Sequence, residues 1–178
     1  MEHRTELVEV IRRIRNRWRM RLAARGAVVV FVGTVLVLLL SASTDPVPDI
    51  VALVATPRND GILHIPGPNA AAAFAVATVN LGAGSPITVA ANTGSPTLPL
   101  ALLVCQINTN TATSICLAPP TARVTTTIDS GSKPTFGIFG ISSGTIPFDP
   151  ANNRVFVTFS DPGGAVRGST SVAVTTTQ

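Results

Sequence analysis

Read for its hydrophobic and polar positions alone, the chain has two unlike parts. From Ile50 onward, short apolar or alternating runs are broken by turn residues: Ile50 to Thr56, Ile62 to Ile65, Ala72 to Leu81, Ile87 to Ala91, Leu100 to Ile107, Ala122 to Ile128, Thr135 to Ile141, Val155 to Ser160 and Ser169 to Thr177. The breaks include Asn59-Asp60-Gly61, Pro66-Gly67-Pro68, Gly82 to Pro86, Pro119-Pro120, Gly131 to Pro134, Pro147 to Pro150 and Asp161 to Gly164. Strand-length runs with a turn signal about every ten residues predict an all-β domain folded as an antiparallel β-sandwich. Some faces are legible: Val155, Val157 and Phe159, and likewise Val172 and Val174, occupy alternate positions and are expected in the core. The alanine-rich run 70–77 suits a helix by propensity, but Phe74, Val76, Val79 and the flanking Pro and Gly favour a strand.

Before Thr44 the pattern changes. Gly26 to Ala42 carries no charge and, with Gly26, Phe31 and Leu40 along its length, reads as a membrane-spanning helix over 26–43. At about 1.5 Å per residue it covers roughly 25 Å, slightly less than a hydrocarbon core, and Leu22 to Ala24 lengthen it if Arg25 snorkels to the headgroups. Ahead of it, Leu7, Ile11, Ile14, Trp18 and Leu22 recur at helical spacing, so residues 1–25 are expected to form an amphipathic helix with arginines over its remaining surface. Thr44 to Asp49, with two prolines, reads as an extended linker, and 50–178 as the folded domain. A cleavable signal peptide competes with the anchor, because small residues at Ser41 to Ser43 follow the apolar run. The length of the basic region and of the apolar run fits an anchor better.

Charge refines this picture. The net charge of +4 would suggest nucleic acid until it is located. Residues 1–25 hold Arg4, Arg12, Arg13, Arg15, Arg17, Arg19, Arg21 and Arg25 against three Glu, a net of +5, while the remainder nets −1. Basicity confined to the near side of a span is a topology signal and an anionic-lipid contact. The expected topology is therefore a membrane crossed once, N-terminus cytoplasmic, with the domain on the far side. Membrane lipid and an extracytoplasmic protein are the expected partners, and nucleic acid is not.

Candidate chemistry is sparse. Cys105 and Cys116 are the two cysteines, and the polar loop between them lets a disulfide clamp the flanking strands, worth about 3 kcal/mol by chain entropy. Such a bond suits an oxidising compartment. Gly140-Ile141-Ser142-Ser143-Gly144 matches the G-x-S-x-G pattern of serine hydrolases, with His64 as the available base, but the following Thr145-Ile146-Pro147 cannot begin the helix that pattern requires. His64 reads better as an outward strand residue. The aspartates recur in turns, as Asp60-Gly61, Asp149-Pro150 and Asp161-Pro162, where Asp bonds its own backbone. Calcium or carbohydrate binding by the loops remains an alternative function, although the domain lacks Tyr and Trp for sugar stacking. No cofactor motif appears and no enzyme activity is expected.

The segments CLAPP (116–120) and PTFGIFGISSGTIPFDPANNRVFVTFSDPGGAVRGSTSVAV (134–174) resemble an uncharacterised bacterial extracytoplasmic β-sandwich module spanning about 48–177. This resemblance implies an immunoglobulin-like fold and export, and with the charge asymmetry it sets the expected localisation as a bacterial inner membrane, single-pass, N-terminus cytoplasmic, with the domain periplasmic or extracellular. Separately, ELVEVIRRIRNRWRMRLAARGAVVV resembles the cytoplasmic start and first span of large bacterial membrane proteins. In those proteins further spans follow, whereas here the β module does.

Overall fold

The computed structural model describes residues 46–94, 98–109 and 115–176. The expected amphipathic helix, the span marked by Gly26, Phe31 and Leu40, and the arginines from Arg12 to Arg25 lie outside the described residues. Among the described residues no helix is long and apolar enough to cross a membrane.

Among the described residues, the runs separated by turn residues become ten strands: β1 (Ile50–Ala55), β2 (Ile62–His64), β3 (Ala71–Asn80), β4 (Ser85–Asn92), β5 (Leu100–Asn108), β6 (Ile115–Cys116), β7 (Arg123–Ile128), β8 (Thr135–Ser142), β9 (Arg154–Ser160) and β10 (Val166–Thr175). The alanine-rich run is strand β3, as Phe74 and Val76 suggested. The two-residue β6 has no counterpart among the runs seen in the sequence. A first sheet has the order β1-β3-β8-β5-β6 and a second the order β2-β10-β9-β4-β7.

One pairing departs from the antiparallel expectation, since β2 runs parallel to β10 with Leu63 opposite Val174. The cause lies in the path of the chain. Ile50 lies against Gly168 and Ile62 pairs with Ala173, so the chain advances in the direction of β10 while it passes from one sheet to the other. Gly168 is needed for that approach, because a Cβ there would run into the Ile50 carbonyl oxygen. The sheet change is made at 56–61, where Asn59 and Gly61 both have positive φ and the Thr56 hydroxyl accepts the Asp60 and Gly61 N–H groups.

The core fills the space between the sheets. Phe74, Val76, Val104, Phe136 and Ile138 come from the first sheet; Leu63, Ile87, Val89, Ile128, Val155, Val157, Phe159, Val172 and Val174 come from the second. The Phe136 and Phe159 rings meet edge to face across the layers with centroids 5.7 Å apart. Val155, Val157 and Phe159 are fully buried, as their alternation predicted.

One buried polar side chain ties the start of the domain to this core. Asn80 is fully buried, accepts the Asp49 and Gly82 N–H groups through Oδ1 at 3.0 Å each, and donates through Nδ2 to the carbonyls of Ala83 and Ile128. Val47 O also accepts from the Ala83 N–H at 3.0 Å. Residues 47–49, within the expected linker, are thus fastened to the β3–β4 turn, and the compact unit begins at Pro46.

Candidate interaction surface

Cα register identifies the side chains that share each outer face. On the first sheet, Leu53, Ala77, Thr135, Ile107 and Cys116 form one row across the strands, and Ala55, Ala75, Gly137 and Cys105 form the next. Ala73, Phe139 and Leu103 make a third row, Ala71, Ile141 and Ala101 a fourth, and Val51 and Val79 lie at the other end. Thr135 is the polar member of this set. No Asp, Glu, Lys, Arg or His stands at any of these strand positions.

Apart from the buried Cys105, these side chains are partly or largely open to solvent. Leu53 is 73% exposed, Val51 50% and Ile141 42%, and Ile115 and Leu117 beside the disulfide are also exposed. A groove of about 350 Å³ runs over the face, with Ala55, Pro57, Ala73, Ala75, Ile107 and Phe139 among its walls. Its floor is low because β3 contributes methyl groups and β8 contributes Gly137. A Cβ on Gly137 would come 3.3 Å from Ile107 Cδ1 and 3.4 Å from both Cys105 Sγ and the Phe139 ring, so that glycine lets the larger neighbours close over it.

The predicted cysteine pair belongs to this surface. Cys105 and Cys116 form a disulfide with a Cα–Cα distance of 5.6 Å. It fixes the short β6 to β5, where Cys116 lies opposite Ile107, and Cys105 is buried beneath the neighbouring side chains.

The residues singled out for chemistry do not converge. Ser142 lies at the end of strand β8 and not on a strand-to-helix elbow. It is 2% exposed, and its hydroxyl donates to the carbonyls of Gly67 (2.9 Å) and Ala70 (3.3 Å). A hydroxyl held between two backbone acceptors fastens the β2–β3 connection and is not presented for attack. His64 sits on the outer side of β2 with Nε2 2.8 Å from Asp60 Oδ2.

Each turn aspartate has its own partners. Asp60 accepts from the Ile62 N–H, which with His64 holds its carboxyl below the usual range. Asp149 accepts from the Asn152 side chain and from the Asn152 and Ala151 N–H groups, and its carboxyl is lowered likewise. Asp161 is lowered chiefly by Arg167, whose Nε donates at 2.7 Å, and also accepts from the Ala165 N–H. Among the described residues no three His, Cys, Asp or Glu side chains come together in a metal-binding group.

Sequence reasoning placed the strands but missed the outer face of the first sheet. The signal was present in Ala71 to Val79, Leu100 to Cys105 and Phe136 to Ile141, which are apolar or glycine at almost every position where a half-solvated strand would alternate.

No family model matches the chain, and no curated protein matches it. Among solved structures it is similar to AvmM, which catalyses macrocyclization in alchivemycin A biosynthesis, at 12% identity and a TM-score of 0.44 over 75% of this chain and 98% of that one. It is also similar to the ASH/PapD-like domain 7 of human CEP192, at 8% identity and a TM-score of 0.34 over 71% of this chain and 85% of that one. Likenesses of this degree carry no functional argument.

Proposed function

We propose that this chain is a single-pass, inner-membrane protein whose immunoglobulin-like domain stands outside the cytoplasm and works by interaction through the apolar outer face of its first sheet. The observation that carries the reading is that face. An antiparallel sheet with one solvated side ordinarily alternates apolar and polar positions, whereas strands covered on both sides are apolar throughout. The first sheet has the composition of a doubly covered sheet and one side open to solvent. Exposed apolar surface of this extent marks an interaction site.

Three further features support the reading. The order β1-β3-β8-β5 against β10-β9-β4 follows the two-sheet arrangement of immunoglobulin constant domains, with β7 added beside β4. A disulfide in a domain of this size fits an oxidising compartment. The arginine-rich segment ahead of the uncharged Gly26 to Ala42 run favours a cytoplasmic N-terminus.

Topology is tested by protease treatment of intact spheroplasts. The expected result is a protected N-terminal fragment ending near residues 43–49, with Cys105 and Cys116 unreactive to thiol label until reduction. A fully protected chain with reactive thiols would refute the placement. The interaction role is tested by carbene footprinting of the full chain in native membranes and in nanodiscs holding one chain each. Leu53, Phe139 and Ile141 are expected to label several-fold less in the native membrane, and equal labelling would refute the role.

A further inference from the structure

We infer that the occupant of the apolar face is a second copy of this chain, packed face to face about a two-fold axis; the inference rests on the proposed interaction role of that face. Charge is the first argument. The rows on the face contain no ionisable side chain, so a self-contact brings no like charges together. A nucleic acid or a charged peptide would find nothing there to pair with. A bilayer surface is a poorer occupant for two reasons. The chain beyond Thr44 nets −1, opposite to what anionic lipid attracts, and it contains neither Trp nor Tyr, the residues that anchor proteins at the interface.

Area is the second argument. Strands about 4.8 Å apart, at about 3.3 Å per residue, give β1, β3, β8 and β5 a flat face of roughly 20 by 25 Å. Two copies then cover about 1,000 Å² before side-chain relief is counted, which reaches the size of a specific interface.

Shape is the third argument. Each row across β3 and β8 sets a small residue beside one of different size: Ala71 beside Ile141, Ala73 beside Phe139, and Ala75 beside Gly137. A two-fold axis along the strands between β3 and β8 exchanges those positions. It lays the Phe139 and Ile141 ridge of each copy over the alanine strip of the other, and Leu53 on β1 over Ile107 on β5. The face is thereby complementary to itself, as an isologous contact requires, and aligned sheet-on-sheet packing at about 10 Å accommodates it.

The test is photo-cross-linking of the full chain in its membrane, with a photoreactive phenylalanine analogue in place of Phe139 and, as a control on the second sheet, of Phe156. The expected product at position 139 has twice the 18.4 kDa mass of the chain, and position 156 gives none. Mixing Ala73→Glu and Ala73→Lys chains is expected to restore the dimer that either variant alone loses. A product at position 139 with a different polypeptide, or with lipid, would overturn the second copy while leaving the face as an interaction surface. Equal dimer yield at 139 and 156 would also overturn the two-fold contact. No adduct at position 139 would overturn both this inference and the interaction role.

Discussion

The two outer faces of the sandwich are built on the same backbone geometry and carry opposite chemistry. On the second sheet, Ser169, Thr158, Ala90 and Arg123 form one row, Ser171, Phe156 and Asn92 another, and Ser160, Thr88 and Thr125 a third. There the Thr88 and Thr125 hydroxyls are 2.9 Å apart, and Arg154 Nη2 donates to Ser171 Oγ at 2.8 Å. The polar groups bond to one another across strands, the usual finish of a sheet that ends in water. On the first sheet the corresponding rows hold Ala, Val, Leu, Ile, Phe, Gly137 and the disulfide, with Thr135 as their polar member. Folding needs one apolar face per sheet, and the second sheet has one. The additional apolar face of the first sheet is not required for the core, and it is the feature on which the proposed interaction role rests.

The comparison can be broken most severely by damaging what both sheets share. Phe136→Ala empties the centre of the core and removes the edge-to-face contact with Phe159, so it is expected to cost about 3–5 kcal/mol. Denaturant melts followed separately on each sheet should shift together; a shift in one sheet alone would mean that the faces belong to independently folding layers.

A smaller effect sharpens the asymmetry. Removing the disulfide with Cys105→Ala and Cys116→Ala together is expected to cost roughly 3 kcal/mol on the chain-entropy model. The loss should loosen the β5–β6 margin of the first sheet, so hydrogen exchange is expected to quicken at Leu117, whose N–H bonds the Gln106 carbonyl at 2.8 Å, before it quickens in β9. Unchanged exchange at Leu117 would show that the bond does not hold that margin.

Surface charge tests the faces directly. Leu53→Glu and Thr127→Glu each alter an exposed strand position, and each is expected to change stability by no more than about 0.5 kcal/mol. Their effects on association should differ: Leu53→Glu lowers the light-scattering mass of the full chain in mild detergent, and Thr127→Glu leaves it unchanged. Equal behaviour would remove the functional distinction between the faces.

The smallest effect concerns acid. Arg167 holds the Asp161 carboxyl below its usual value at the β9–β10 turn. A carboxylate whose folded pKa is depressed contributes stability that is present above its unfolded value and lost as pH falls through the folded one. Melting temperature should therefore decline below about pH 4, and Asp161→Asn should flatten part of that decline. Identical acid profiles for the two chains would show that the Asp161–Arg167 pair adds nothing measurable.

Much of this fold was legible because the residues that make it act locally. Turn signals such as Asn59-Asp60-Gly61 and Asp161 to Gly164 bracket the strands, and the alternation of Val155, Val157 and Phe159 announces its own face. Asn80 was not legible. An asparagine at the end of an apolar run looks like a strand terminator, and its role depends on Asp49, Gly82, Ala83 and Ile128 meeting around it. Ser142 shows the reverse case: a local pattern suggested chemistry, and burial between the carbonyls of Gly67 and Ala70 gave it a structural role.

By itself the sequence determined the all-β class, the places where the chain turns, the charge asymmetry and the availability of a cysteine pair, because each follows from residue type and from spacings of two or a few positions. Tertiary structure alone decided that β2 runs parallel to β10, that β6 is pinned to β5, and that the alanines of β3 share a face with Phe139, Leu103 and Leu53. Those outcomes depend on which distant strands become neighbours and in what register. A one-residue slip in that register would turn the same alanines toward the core.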